Sequence, residues 1–280
     1  MSNDTERTIT QSVLAQWSNC GDRRLKSVME AFVRHLHAFI RETEPTPEEW
    51  LAGIRFLTET GQMCDEKRQE YILLSDTLGV SMLVDAINNR KPAGATESSV
   101  LGPFYEEGAP DAASGADLAP GEGPGVIVSG IVKDVAGRPL AGAILDVWQT
   151  APNGMYHMQD SAAGHFHLCG KVRAANDGSY RFRTLKPVSY SIPTDGPAGD
   201  LLRRAGRHPF RPAHIHFIVS APGHKPVITQ LFTRGDRYLE SDAVFGVKQS
   251  LVVDYQPDGA EQRVEYDFVL EPASQRETVS

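Results

Sequence analysis

Cysteine is scarce in this chain: three residues in 280, Cys20, Cys64 and Cys169, an odd number at wide and motif-free spacing. That argues against a disulfide framework or a zinc-thiolate cluster and leaves free thiols, as expected in a reducing cytoplasm. No run of about 18 apolar residues occurs, and Met1 to Arg7 lack the basic flank and apolar core of a secretion signal. Positive charge is also sparse and scattered, 28 Lys and Arg against 36 Asp and Glu, for a formal charge of −8 and a pI near 5.6. A nucleic-acid or anionic-membrane surface needs clustered cations, so a small molecule or a protein partner is expected instead. There is no internal repeat.

What the chain does have is apolar material: at 280 residues and 40% hydrophobic it can bury roughly three quarters of its unfolded surface, enough for one large domain or two modest ones. The first ninety residues have helical period. Thr46-Pro47-Glu48-Glu49 is a capping box with proline at the first helical position, followed by Trp50, Leu51, Ile54 and Leu57 and a stop at Gly61. Helices are predicted at about 23–42, 47–60 and 65–88, the last interrupted by Gly79, a site of close packing or a kink. From Lys91 to Pro124 the composition shifts to glycine, proline, alanine and acid, a loop-rich crossing. Beyond it the period becomes two, in Val126–Val132, Ala143–Trp148, Tyr180–Arg183, Val227–Phe232, Ser250–Val253 and Val264–Phe268, which predicts a β-sandwich.

One of these strands carries an unusual pattern. In Arg211-Pro212-Ala213-His214-Ile215-His216-Phe217-Ile218-Val219 two histidines stand at i and i+2, on one face of a strand. Two imidazoles at such positions are better explained by a bound cation than by packing. Two further pairs compete. His35 and His37 lie in a helical segment, where i and i+2 point to different faces, and are expected on its surface. His165 and His167, between Gly164 and Gly170, suggest a loop with solvated histidines or a short strand. A zinc hydrolase built from His165, His167, His214 and His216 remains open on this pattern alone. Two tyrosines on connections, Tyr156 and Tyr190, can reach a common point, although a half-buried ring with a wet hydroxyl is the plainer reading of each.

Four segments in register change the weighing. Leu101-Gly102-Pro103-Phe104-Tyr105, the Gly130-to-Ala143 run continuing into Val147-Trp148-Gln149, Tyr190-Ser191-Ile192-Pro193-Thr194-Asp195-Gly196-Pro197, and Arg211 to His216 closely resemble the intradiol ring-cleavage dioxygenases. The match runs from about residue 20 to residue 270. The resemblance implies a mainly β chain: an N-terminal α-helical dimerisation region (1–90), a loop-rich linker (91–124) and a C-terminal catalytic β-sandwich carrying the metal site (125–275). It also implies a homodimer with lipid at the helical interface, although packing of the helical stripes on the sandwich would produce the same pattern. A mononuclear non-haem Fe(III) would be held by Tyr156, Tyr190, His214 and His216. A phenol of pKa about 10 needs roughly 4 kcal/mol to ionise at neutral pH, which a trivalent cation supplies and a neutral hydrogen bond does not.

The same resemblance implies that a catechol-type ring binds through both oxygens, that Tyr190 is released to accept a proton, and that O2 cleaves the bond between the hydroxyl-bearing carbons. Arg211 and Gln230 match positions beside the reacting ring, with a structural ion pair and a surface amide as their plainer readings. Leu73-Leu74-Ser75-Asp76-Thr77-Leu78-Gly79, Val100-Leu101-Gly102 and Ser241 to Val247 look most like the hydroxyquinol-cleaving branch. This implies a pocket of Leu73, Asp76, Val100, Leu101, Ile192, Pro193 and Val244, with benzene-1,2,4-triol opened to 3-hydroxy-cis,cis-muconate or maleylacetate in aromatic-compound degradation. Asp76 would accept a hydrogen bond from the third hydroxyl; a helix-surface carboxylate is the alternative. Catechol or chlorocatechol cleavage, and a non-catalytic β-sandwich binding module, are the competing functions. Ser191, where the family usually has a second proline, and the His165-to-Cys169 stretch depart from the pattern without touching an expected ligand.

Overall fold

The computed structural model describes residues 3–66 and 68–273. The helices are α1 (Asn3–Gln16), α2 (Arg23–Thr43), α3 (Pro47–Gln62), α4 (Glu70–Thr77) and α5 (Val80–Asn88). The capping box closes as expected, with Thr46 N–H donating to Glu49 Oε2 at 2.8 Å and Glu49 N–H to Thr46 Oγ1 at 3.2 Å. The single helix predicted over 65–88 is instead two, because Gly79 adopts φ +73°, a left-handed conformation that an α-helix cannot continue through. Helix α1 was not expected: its first half is rich in threonine, and only Ile9, Val13 and Leu14 supply apolar signal. None of the helices of the described residues is long and apolar enough to cross a membrane.

The chain divides into two compact units, Met1–Glu59 and Thr60–Ser280. In this division α4 and α5 fall in the unit that holds the strands. In the first unit α1 lies along α2, where Thr10 Oγ1 meets His37 Nδ1 at 2.9 Å and Arg41 reaches both Thr10 and the Glu6 carbonyl. The stripe of α2 is open: Leu25, Val28, Phe32, Leu36, Phe39 and Ile40 are all exposed, as are Trp50, Leu51, Ile54 and Leu57 of α3.

The second unit is built on strands β1 (Asp111–Ala112), β2 (Ala116–Asp117), β3 (Val126–Asp134), β4 (Ile144–Trp148), β5 (Cys169–Arg173), β6 (Ser179–Thr184) and β7 (Tyr190–Ser191). After helix α6 (Pro197–Arg204) come β8 (Phe210–Arg211), β9 (His214–Ser220), β10 (Val227–Thr233), β11 (Val252–Val253), β12 (Gln256–Asp258), β13 (Glu261–Glu265) and β14 (Phe268–Leu270). One sheet runs β1-β5-β4-β9-β10-β11; the other runs β12-β13-β3-β6-β2 with β14 also on β3; β7 and β8 form a separate ribbon. The glycine- and proline-rich stretch is no free tether, since β1 pairs with β5 and β2 with β6.

Period two decides what each face does. Ile215, Phe217 and Val219 of β9 join Leu145, Val147, Phe182, Leu231 and Phe268 in a core that excludes water. His214 and His216 therefore point to the other face of that sheet, yet they too are buried, because connections fold over them. Gly130, in the middle of β3, marks another close approach: a Cβ there would lie 1.9 Å from the Tyr266 carbonyl oxygen, which also accepts the Tyr180 hydroxyl at 2.7 Å. Gly130→Ala is expected to cost about 3 kcal/mol or more in urea unfolding, since backbone must move to admit the methyl. An unchanged unfolding midpoint would show that β13, β14 and their junction yield freely.

Candidate metal centre

The histidine pair sits in a cross-strand row. Trp148 of β4 and Gln230 of β10 are the register partners of His216 on either side. Strand hydrogen bonding thus sets the lateral spacing of these three side chains. Trp148 stacks on the His216 ring at 4.6 Å and 13°, and Tyr105 tilts against the indole at 4.9 Å.

Tyr156 reaches the same point from a turn after β4, in which Gly154 N–H donates to the Ala151 carbonyl and Ala151 N–H to that of Met155. Its ring lies on Phe104 at 4.8 Å. Tyr190 comes from β7, whose partner in register is Arg211 of β8, so the short ribbon brings a phenol and a guanidinium together. The four groups form an unbroken chain. Tyr190 OH to Tyr156 OH is 3.1 Å, Tyr156 OH to His216 Nε2 is 3.0 Å, and His216 Nε2 to His214 Nε2 is 3.1 Å.

Such an arrangement suits a cation. Donors held about 2 Å from one metal ion lie roughly 3 Å from each other. His214 Nδ1 is 2.6 Å from the Pro212 carbonyl, which only accepts, so the proton sits on Nδ1 and Nε2 presents a lone pair inward. Burial, then the Arg211 charge, pushes the His214 imidazole down to about 3, and burial, then His214 and Arg211, push His216 well down too. Both rings are neutral at pH 7, the form that ligates. Burial, reinforced by Tyr190, raises the Tyr156 phenol well above its ordinary value, so ionising it requires a strong local positive charge. Two imidazoles and two phenols with their donor atoms in mutual contact fit a hard, highly charged ion.

Arg211 is buried beside this cluster. Its Nη1 stands 3.2 Å from His214 Nε2, Nη2 donates to Gln230 Oε1 at 2.7 Å, and Gln230 Nε2 donates to the Val100 carbonyl at 2.6 Å. Asp242 closes the network as a bidentate partner of Arg211. Burial alone would raise the Asp242 carboxyl, but the Arg211 charge and hydrogen bonds outweigh it and hold it below the usual range.

A cavity of about 370 Å³ is lined by Asp76, Val100 and Leu101, together with Ser81, Ile72 and Gly102. Gly102 is common ground, because a Cβ there would sit 3.5 Å from His216 Cε1. Leu73, Ile192, Pro193 and Val244 are not on this cavity's wall. Leu73 is buried one turn before Asp76 on α4, Ile192 and Pro193 follow β7 directly, and Val244 N–H is bonded to Asp242 Oδ1.

The other histidine pair does not join the centre. His165 Nε2 bonds Glu106 at 3.1 Å and His167 Nε2 bonds Glu122 at 2.6 Å. Glu106, His157 and His165 form a local cluster. His157 Nδ1 accepts the Phe166 N–H at 3.3 Å, which leaves the proton on Nε2, 3.6 Å from Glu106. This is a hydrogen-bonded clamp between loops. Sequence reasoning missed Asp242, Trp148 and Phe104, whose contacts with Arg211, His216 and Tyr156 are long-range; Trp148, beside the strand-end Gln149, offered a local signal.

Residues 100–272 match the family described as Dioxygenase, and residues 22–96 match Catechol dioxygenase N terminus. The 6-chlorohydroxyquinol 1,2-dioxygenase of Cupriavidus pinatubonensis is 49% identical over 270 residues, covering 95% of this chain and 98% of the relative. The hydroxyquinol 1,2-dioxygenase of a Rhizobium species is 49% identical over 280 residues, covering 95% of each. The solved structure of hydroxyquinol 1,2-dioxygenase from Pseudomonas putida DLL-E4 superposes with a TM-score of 0.91 at 49% identity, covering 96% of this chain and 99% of that one. With family matches across both parts of the chain and relatives of equal length, this protein belongs to the intradiol ring-cleavage dioxygenases.

Proposed function

We propose that this chain cleaves hydroxyquinol, benzene-1,2,4-triol, with O2 between the two adjacent hydroxyl-bearing carbons, giving 3-hydroxy-cis,cis-muconate or its tautomer maleylacetate. Membership of the family implies non-haem iron. We assign it as Fe(III) held by Tyr156, Tyr190, His214 and His216, and the observation that carries this is the run of two phenol oxygens and two imidazole nitrogens spaced 3.0 to 3.1 Å apart. Bound there, the ion would supply the positive charge that ionises the phenols and the Lewis acidity that prepares an aromatic diol for O2.

The protein groups do the rest. Tyr190 lies on a two-residue ribbon, and among the described residues its hydroxyl is hydrogen-bonded by Tyr156, so it is the phenol better able to swing away and take a substrate proton. Arg211, fixed beside His214, stabilises negative charge as it develops on the ring oxygens, and Gln230 holds the guanidinium from the neighbouring strand. Phe104 over Tyr156 and Trp148 over His216 keep water from the centre. Asp76, at the cavity wall with Val100 and Leu101, accepts the third hydroxyl, and the resemblance assigns Leu73, Ile192, Pro193 and Val244 to the rest of the ring's surroundings. The names of the Rhizobium and Pseudomonas relatives point to the same substrate, and that of the Cupriavidus relative to its 6-chloro derivative.

We assign catalysis to the sandwich, 125–275, with 91–124 as its approach and the helices of 1–90 as the contact between two copies. The open apolar stripes of α2 and α3 support a homodimer. Three free cysteines fit a cytoplasmic location.

The test is spectroscopic and kinetic. Iron-loaded protein is expected to be red to purple from tyrosinate-to-iron charge transfer, to run at twice the chain mass by light scattering, and to consume O2 with the triol faster than with catechol. A colourless protein at full iron occupancy would end the dioxygenase reading; a clear preference for catechol would end only the hydroxyquinol assignment.

A further inference from the structure

Arg211 ends a two-residue strand, which is short to fix the direction of so long a side chain by itself. Its aim comes from a distant loop. Asp242 accepts Arg211 Nε on Oδ1 at 3.0 Å and Nη2 on Oδ2 at 3.1 Å. The same two oxygens accept Val244 N–H at 3.2 Å and Gly246 N–H at 2.9 Å. One carboxylate, 5% exposed, therefore anchors both the guanidinium and the loop 242–246. With its outer edge engaged, the fork has one direction left for its other N–H groups, toward Gln230 Oε1 and His214 Nε2.

Gly246 belongs to the same device. A Cβ at that position would meet Arg211 Nη2 at 2.7 Å, Asp242 Oδ2 at 3.2 Å and Ser99 Oγ at 3.2 Å. The loop closes on the arginine with no room to spare, and Ser99 fastens it further by donating to the Gly246 carbonyl at 2.8 Å.

We infer that Asp242 is a positioning residue for ring cleavage: it aims the Arg211 guanidinium at the reacting ring and ties that aim to the loop that carries Val244. The inference rests on the proposed dioxygenase function and on the pocket assigned to Val244. It means that a ring substituent pressing on the Val244 backbone also turns the arginine, so that fit at the pocket wall is felt as rate.

Four full-length, iron-loaded proteins test it beside the wild type: Asp242→Asn, Arg211→Gln, the double variant Arg211→Gln/Asp242→Asn, and Gly246→Ala. Turnover of the triol is followed by O2 uptake, and triol affinity by the change in visible absorption without O2. In Asp242→Asn the amide presents N–H toward Arg211 and toward the Val244 or Gly246 N–H, whichever oxygen it replaces, so kcat is expected to fall by about 10- to 100-fold, with anaerobic affinity moving by less than about threefold. The double variant is expected to turn over within about twofold of Arg211→Gln, because the two residues act as one unit. Losses that multiply in the double variant, or an unchanged kcat in Asp242→Asn, would overturn the inference. Should Asp242→Asn fail to fold for want of a partner for the buried guanidinium, the double variant, which lacks both charges, and Gly246→Ala carry the test. Gly246→Ala is then expected to lose kcat, and wild-type turnover in it would overturn the inference. A wild type that takes up no O2 with the triol would instead be a failure of the proposed function.

Discussion

His216→Ala is expected to yield protein holding less than about a tenth of an equivalent of iron and turning over at least about 10³-fold more slowly, since changes to groups merely supporting a ligand already cost 10- to 100-fold. His214→Ala should do the same. His214 Nε2, His216 Nε2 and Tyr156 OH touch in sequence at 3.0 to 3.1 Å, and both rings are held neutral by burial and the Arg211 charge. Removing one ring leaves a hole in the donor set in a place that water reaches poorly. His165→Ala/His167→Ala provides the control. Those rings bond Glu106 and Glu122, so the double variant is expected to keep its iron and its colour. Metal analysis and the visible spectrum decide it: iron retained by His216→Ala, or lost from the His165/His167 variant, would move the metal elsewhere.

The second large effect is a change of specificity with a stability signature. Asp76→Asn is expected to reduce the preference for benzene-1,2,4-triol over catechol, as a ratio of kcat/KM, by roughly 10- to 100-fold, because the carboxylate that accepts the third hydroxyl becomes a weaker, half-donor group. The same substitution should stabilise the protein at alkaline pH. Burial raises the Asp76 carboxyl above its ordinary value, opposed by a hydrogen bond from Ser81 and by the Arg211 charge. A carboxyl raised on folding holds more proton in the native than in the unfolded state. Stability therefore falls as pH rises from the unfolded pKa through the folded one, and the asparagine variant, which has no such proton, escapes that loss. Thermal unfolding should show the two proteins converging below about pH 4 and separating above it. An undiminished triol preference in Asp76→Asn would remove this residue from substrate recognition, whatever the unfolding curves show.

Legibility in the sequence followed the range of the interactions. The capping box at Thr46 and the strand bearing His214 and His216 were readable because each is a local pattern, period 3.6 or period two, acting over a few residues. Helix α1 was missed because threonine weakens its signal, and the break at Gly79 was seen as a glycine but not as two helices, since only the backbone angle distinguishes packing from termination. Tyr156 and Tyr190 carried no signal of their own; they came from a resemblance, and the structure brings their hydroxyls into contact across a sequence separation of 34. Asp242 was invisible in principle, as one acid in a loop whose meaning depends on an arginine 31 residues away. The open stripes of α2 were legible as apolar, while what they face was not.

Trp148, His216 and Gln230 occupy one rung across three neighbouring strands. A rung is ruled by peptide geometry, which is indifferent to the side chains mounted on it. Exchanging an aromatic, an imidazole or an amide at those marks would retune the chemistry while leaving the pitch between marks untouched, so a family built on this ladder can drift from one ring to another without rebuilding its scaffold.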